Sequence, residues 1–175
     1  MKKSILTLLA LFIAIAVNAQ NAQVLDNLPH KVENIEMVDL HNAPTQIPHY
    51  GEKNLLIFYI DPDKHKQNED FTYEMEENHL ASGPNIEGFG IINLKDSMFP
   101  NGIVRSMARK RTAKNGATVI TDPDRRLAKK WELGDCNNMF VLMVVSKQGE
   151  LVFCKKGELS EADKKEFYDF IQDYR

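Results

Sequence analysis

The segment Asn54-Leu55-Leu56-Ile57-Phe58-Tyr59-Ile60 constrains the fold of this chain more than any other. After Asn54 it has no alternation of apolar and polar residues, so it cannot form a strand with one wet face. It predicts a central strand covered on both sides. The run stops at Asp61-Pro62-Asp63, which can turn the chain and open a helix.

The rest of the chain supplies the covering layers. Phe71 and Met75, four apart among acidic residues, predict a helix over residues 67–80. Residues 86–94, centred on Phe89, Ile91 and Ile92, predict a second strand. Residues 102–114 predict a basic amphipathic helix, with Ile103, Val104, Met107 and Ala108 on one face and Arg105 and Arg109 on the other, closed by Asn115-Gly116. Residues 117–121 form a short β-branched strand, and Asp122-Pro123 supplies an N-cap and a first-position proline for a helix over 125–133. Residues 139–145 and 150–154, joined by Ser146-Lys147-Gln148-Gly149, read as a hairpin. Ser160 and Asp163, with Leu159 as a hydrophobic staple, begin a last helix that buries Phe167, Phe170 and Ile171. Ahead of the central strand, residues 31–40 alternate weakly, as an edge strand or short hairpin would, and residues 41–52 read as loop. Strands separated by helices imply parallel pairing with right-handed crossovers. The expected fold class is α/β, a three-layer α/β/α sandwich with a mixed sheet and a C-terminal hairpin plus helix.

The N-terminus bears on compartment. Lys2 and Lys3, an apolar run from Ile5 to Val17, and Val17-Asn18-Ala19 have the order of a secretory signal peptide. The run is shorter than the ~20 residues of a spanning helix, and no cysteine follows it as a lipid anchor would require. The predicted organisation is a signal peptide over 1–19, a loose leader over 20–30 and one domain over 31–175. The protein is expected in the periplasm or secreted, with no transmembrane anchor after cleavage. Losing Lys2 and Lys3 makes the formal charge of −3 more negative by two, so bulk charge gives no reason to expect a nucleic-acid partner. With only Cys136 and Cys154, hydrophobic burial rather than a disulfide framework must hold the core.

The element order, with Thr118-Val119-Ile120-Thr121-Asp122-Pro123, Trp131-Glu132-Leu133, the hairpin around Lys147-Gln148-Gly149, and Lys156-Gly157-Glu158-Leu159-Ser160, resembles the thioredoxin-like superfamily in its peroxiredoxin and periplasmic thiol-oxidoreductase branch. More narrowly, Phe99-Pro100 to Arg105-Ser106 and Thr121-Asp122 to Gly157 resemble the YtfJ family of periplasmic proteins. The resemblance implies a thioredoxin-like fold over roughly residues 53–173. It also implies where redox chemistry would sit: a Cys-x-x-Cys pair after the first central strand, where the helix dipole depresses the thiol pKa, and a cis-proline before the hairpin. Here those positions read Asp61-Pro62-Asp63-Lys64-His65 and Asp135-Cys136-Asn137-Asn138-Met139. Neither the paired sulfurs nor the proline is present.

Other residues carry candidate roles. Cys136 lies in the loop facing the vacated site. Cys154 is expected opposite residue 141 or 142, roughly 17 Å from Cys136 at ~3.3 Å per residue, too far for a disulfide. Asp61, Asp63, His65 and Asp122 lie at strand ends, where α/β sheets bind ligands; the competing role for Asp61 and Asp122 is helix capping. Arg105, Arg109 and Lys110 could meet an anion or an acidic partner, or simply form a solvated face. No metal or other cofactor is expected. Asp61-x-Asp63-x-His65 starts like a calcium loop, but Lys66 and Thr72 replace its glycine and glutamate. The sequence thus predicts a redox-inactive binding or accessory module with an unidentified protein or small-molecule partner in the cell envelope. The alternative is an atypical thiol oxidoreductase or peroxidase using Cys136.

Overall fold

The computed structural model describes residues 22–175; the expected signal peptide lies outside them. The strands are β1 (Gln23–Val24), β2 (His30–Lys31), β3 (Met37–Val38), β4 (Pro44–Thr45), β5 (Asn54–Ile60), β6 (Ile86–Asn93), β7 (Val119–Asp122), β8 (Phe140–Val145) and β9 (Glu150–Lys156). The helices are α1 (Glu69–Glu77), α2 (Asn101–Asn115), α3 (Arg126–Lys130) and α4 (Glu161–Ile171). One mixed sheet has the order β1-β9-β8-β5-β6-β7-β3-β4, with β2 also on β9.

The run 54–60 is the interior strand its composition demands, parallel to β6 and antiparallel to β8. Successive side chains enter opposite cores. Leu55, Ile57 and Tyr59 point into a cluster with Phe89, Ile91, Val141, Met143 and Trp131. Leu56 points the other way, to Phe71, Met75, Leu142, Val144 and Phe167. The first core is roofed by α3 and the N-terminal segment, the second by α1 and α4. This is the expected three-layer α/β/α sandwich. Phe167 is central to the second core, edge-on to Phe71 at 5.5 Å and to Phe153 at 5.6 Å between ring centroids.

The ends of two elements follow their caps. Gly116, with φ +70°, closes α2 by donating its N–H to Thr112 O. Ser160 and Asp163 form a reciprocal capping box on α4. Asp163 also receives Lys155, a buried lysine of β9 that reaches Glu166 at 2.8 Å. Burial alone would raise the Asp163 pKa, but hydrogen bonds from Lys155 and Ser160 outweigh it and hold the carboxyl below its ordinary value.

Several expectations need correction. The described part of the leader, residues 22–30, is not loose: Gln23 and Val24 pair with Lys156 and Lys155, and His30 and Lys31 with Leu151 and Glu150, because β9 would otherwise present an open edge. Within the segment read as loop, β4 pairs with β3, and β3 pairs with β7 at the opposite side of the sheet. Residues 31–37 therefore cross the sheet from one side to the other. Six strand spacings of ~4.8 Å separate β2 from β3 along the sheet, about 29 Å, so six residues can span them only as an extended chord across the twisted face. Val32, Ile35 and Met37 are buried along the way, and the Trp131 indole N–H donates to Glu33 O at 3.0 Å. The hairpin turn holds this segment too. Tyr50 donates its hydroxyl to Val32 O, and a Cβ on Gly149, whose φ is +75°, would lie 2.5 Å from that hydroxyl.

Helix α2 is rotated from the expected orientation. Val104 and Arg105 are its buried residues, while Ile103 and Met107 are 51% and 66% exposed. Arg109 turns inward and donates to Leu40 O. A long side chain can bury its stem and still satisfy a carbonyl, and here the β3–β4 turn supplies that carbonyl. Cys154 pairs with Met143 rather than 141 or 142, and the loop holding Cys136 folds over the same sheet face. Both thiols are thus in one core cluster, and both are free.

Two outcomes are expected in urea denaturation. Phe167→Ala should lose about 3–5 kcal/mol, the usual cost of truncating a buried phenylalanine. Because the Asp163 pKa is depressed in the fold, its contribution is present above the ordinary Asp value and lost as pH falls through the folded one. Asp163→Asn should therefore flatten the acid limb of the stability profile relative to the unchanged chain.

Candidate functional site at the mouth of the sheet

The C-terminal ends of β5, β6 and β7 open at one edge, where ligands bind in open α/β sheets. Asp61, Asp63, His65 and Asp122 were expected there, and β6 lies between the strands that carry Asp61 and Asp122. The structure brings the three carboxylates and His65 to this end but gives most of their atoms internal work.

Asp61 is fully buried. Its Oδ1 accepts the Asp63 N–H at 2.9 Å and its Oδ2 the Asn138 N–H at 2.7 Å, while its own N–H donates to Met139 O. Asp61 therefore fastens the first turn after β5 to the loop before β8. The helix expected over 67–80 starts further on, and Asp61 caps a separate turn. Pro62–Lys64 make one 3₁₀ turn, and α1 begins only at Glu69, after Asn68 in the left-handed region.

Asp122 repeats the device on β7. Its Oδ1 accepts the N–H groups of Asp124 and Arg126 at 3.3 and 2.8 Å. Its Oδ2 accepts the Leu127 N–H at 2.9 Å and the Tyr59 hydroxyl at 3.2 Å. The helix opens at Arg126, after Arg125 in the left-handed region, not at Pro123. Asp122 thus satisfies the first N–H groups of α3 across an intervening bend. Burial and the neighbouring Asp122 charge push the Tyr59 phenol far above its ordinary pKa, so it stays a donor.

Asp63 accepts the Met98 N–H at Oδ2, and its buried Oδ1 has no partner among the described residues. His65 is exposed, its Nδ1 3.0 Å from Pro62 O. Residues not singled out from sequence complete the mouth. Asn93, fully buried at the end of β6, donates to Asp96, which pairs with Arg125. A polar residue closing the apolar run of β6 was the available signal for Asn93. Among the described residues, no group of three or more histidines, cysteines and carboxylates could hold a metal ion.

Cys136 is 3% exposed. Burial, opposed by nearby Lys156, pushes its thiol up to about 11, and burial takes Cys154 to about 12. Of the expected anion contacts, Arg105 is buried and Arg109 is committed to Leu40, leaving Lys110 exposed. A cleft of about 490 Å³ between Leu40, Arg109 and Val119 lies at the other end of β7, away from the mouth.

Asp122→Ala should cost about 2–4 kcal/mol, because it removes charge-assisted bonds and leaves the buried Tyr59 hydroxyl unpaired. Tyr59→Phe should cost only about 1 kcal/mol. Urea titration of both variants checks this; equal losses would contradict the assigned bonding.

The fold is matched by a DsbF homologue from Corynebacterium diphtheriae, with TM-score 0.62 and 16% identity over 89% of this chain and 96% of that one. A thioredoxin-family thiol:disulfide interchange protein from Chlorobium tepidum TLS matches with TM-score 0.59 and 12% identity over 86% and 99%. The exposed lipoprotein thioredoxin Etrx1 of Streptococcus pneumoniae strain TIGR4 matches with TM-score 0.56 and 12% identity over 81% and 99%. These similarities establish the thioredoxin-like fold. No curated protein matches the sequence, and no described helix is long and apolar enough to cross a membrane. Residues 62–174, more than half of the chain, match the family model described as bacterial protein of unknown function, YtfJ_HI0045, and the chain belongs to that family.

Proposed function

We propose that this protein is an extracytoplasmic thioredoxin-fold module that binds a partner in the cell envelope and exchanges no disulfides. The observation that carries this reading is the first turn after β5. It contains no sulfur, and Asp61 fills it with both carboxylate oxygens bonded to backbone N–H groups. A nucleophilic thiol needs exposure and a depressed pKa; Cys136 has neither. Burial holds the Cys136 thiol above its ordinary pKa, so the protonated, poorly nucleophilic form is favoured at pH 7. The signal-like N-terminus supports export, and so does the fold shared with an exposed lipoprotein.

The chain from Gln20 onward should neither reduce insulin disulfides nor consume peroxide. A rate of either kind that disappears in Cys136→Ser would establish the thiol-enzyme alternative instead. Alkylation gives an independent check. At pH 8 the folded protein should resist iodoacetamide, and both thiols should react once urea unfolds it.

A further inference from the structure

Among the described residues, the large apolar side chains left exposed are Val24, Tyr73, Met98, Phe99, Ile103 and Met107. Four of these six fall within ten consecutive residues leading into and along α2. Met98 is 83% exposed and Phe99 54%, and their segment is fixed to the mouth of the sheet by the Met98 N–H bond to Asp63.

The rotation of α2 creates a continuous outer stripe. At 100° per residue, Ile103, Met107, Lys110 and Lys114 fall within about 60° of arc, with Phe99 one turn before them. The opposite side holds Arg105, Ala108 and Thr112. The stripe is apolar near the mouth and basic toward the C-terminus. Lys110 and Lys114 are exposed and pair with no carboxylate among the described residues. Arg111 turns aside, 5.6 Å over the Tyr73 ring of α1.

We propose that the outer stripe of α2 docks on an anionic lipid surface, with Phe99, Ile103 and Met107 entering the headgroup layer and Lys110 and Lys114 meeting lipid phosphates. Exposed methionine, phenylalanine and isoleucine beside unpaired lysines combine the two terms that hold peripheral helices on such surfaces, apolar insertion and headgroup attraction. Shape favours a lipid layer over a protein. α2 buries only Val104 and Arg105 of its fifteen residues, so it stands as a ridge. A headgroup layer deforms around a ridge, whereas a protein partner must supply a matching groove. The inference does not rest on the non-redox reading.

The test is co-sedimentation of the chain from Gln20 onward, which carries the whole described fold, with vesicles of equal parts phosphatidylglycerol and phosphatidylcholine. Pure phosphatidylcholine vesicles serve as the comparison. Binding should be at least about tenfold stronger to the anionic vesicles and should fall as salt rises. The pair Ile103→Ser with Met107→Ser and the pair Lys110→Glu with Lys114→Glu should each reduce it at least about tenfold. Lys165→Glu, at an exposed position of α4, should leave it unchanged. Equal partitioning to both vesicle types, or binding that neither double variant weakens, would overturn the proposal. So would absence of vesicle binding together with a protein cross-link formed from a photoreactive side chain at position 103 in native envelopes. Circular dichroism of each variant confirms that the exposed substitutions leave the fold intact.

Discussion

The structure depends on burying β5 from both sides. Its side chains alternate between two cores that share no roof, so α1 and α4 must cover one face while α3 and the N-terminal segment cover the other. Once the strand is enclosed, its two backbone ends become the difficult places, since buried N–H and C=O groups need partners where the ladder stops. At the mouth the chain meets that need with side chains. Asp61 and Asp122 accept the N–H groups of the segments that leave β5 and β7, and Asp61 also holds the loop in front of β8. The turn after β5 and the start of α3 are thereby held by carboxylates that work as ties.

The legible parts of the fold were those whose signal is local. The apolar run of β5, the run of β6, the Lys147-Gln148-Gly149 hairpin and the Ser160 cap all appear close to where their residues suggest. The illegible parts depended on distant partners. β3 lies within the segment 31–40 whose alternation suggests an edge strand or hairpin, but β1, β2 and β4 are two residues each, too short for periodicity to place, and they line β9 and β3, which would otherwise be open edges. The orientation of α2 departs from its apolar spacing for a related reason. Apolar spacing favoured Ile103 and Met107 as the inner face, but the carbonyl of Leu40, some seventy residues upstream, draws Arg109 inward. The site was legible in its residues and not in its bonding. Asp61 and Asp122 were recognisable at strand ends; that Asn138 and Tyr59 would be their partners was visible only in three dimensions.

These two observations bear on function together. At the mouth of the sheet Asp61 and Asp122 are bonded to backbone N–H groups, Asp63 Oδ1 and Asn93 Oδ1 have no partner among the described residues, and both cysteines are buried in the core. The large apolar side chains left exposed among the described residues lie mostly on the outside, along α2 and the loop that precedes it.

The crossing made by residues 31–37 has a mechanical consequence. One stretch of chain is hydrogen-bonded to β9 on one flank and, through β3, to β7 on the other, with Trp131 latched to its middle. Neither flank can peel away without loading the opposite one, since the tether between them has little slack. Fraying that would begin at separate margins in an untied sheet is thus coupled into a single event, and strand-to-strand stacking between molecules is blocked at β9 and β7 by the same few residues.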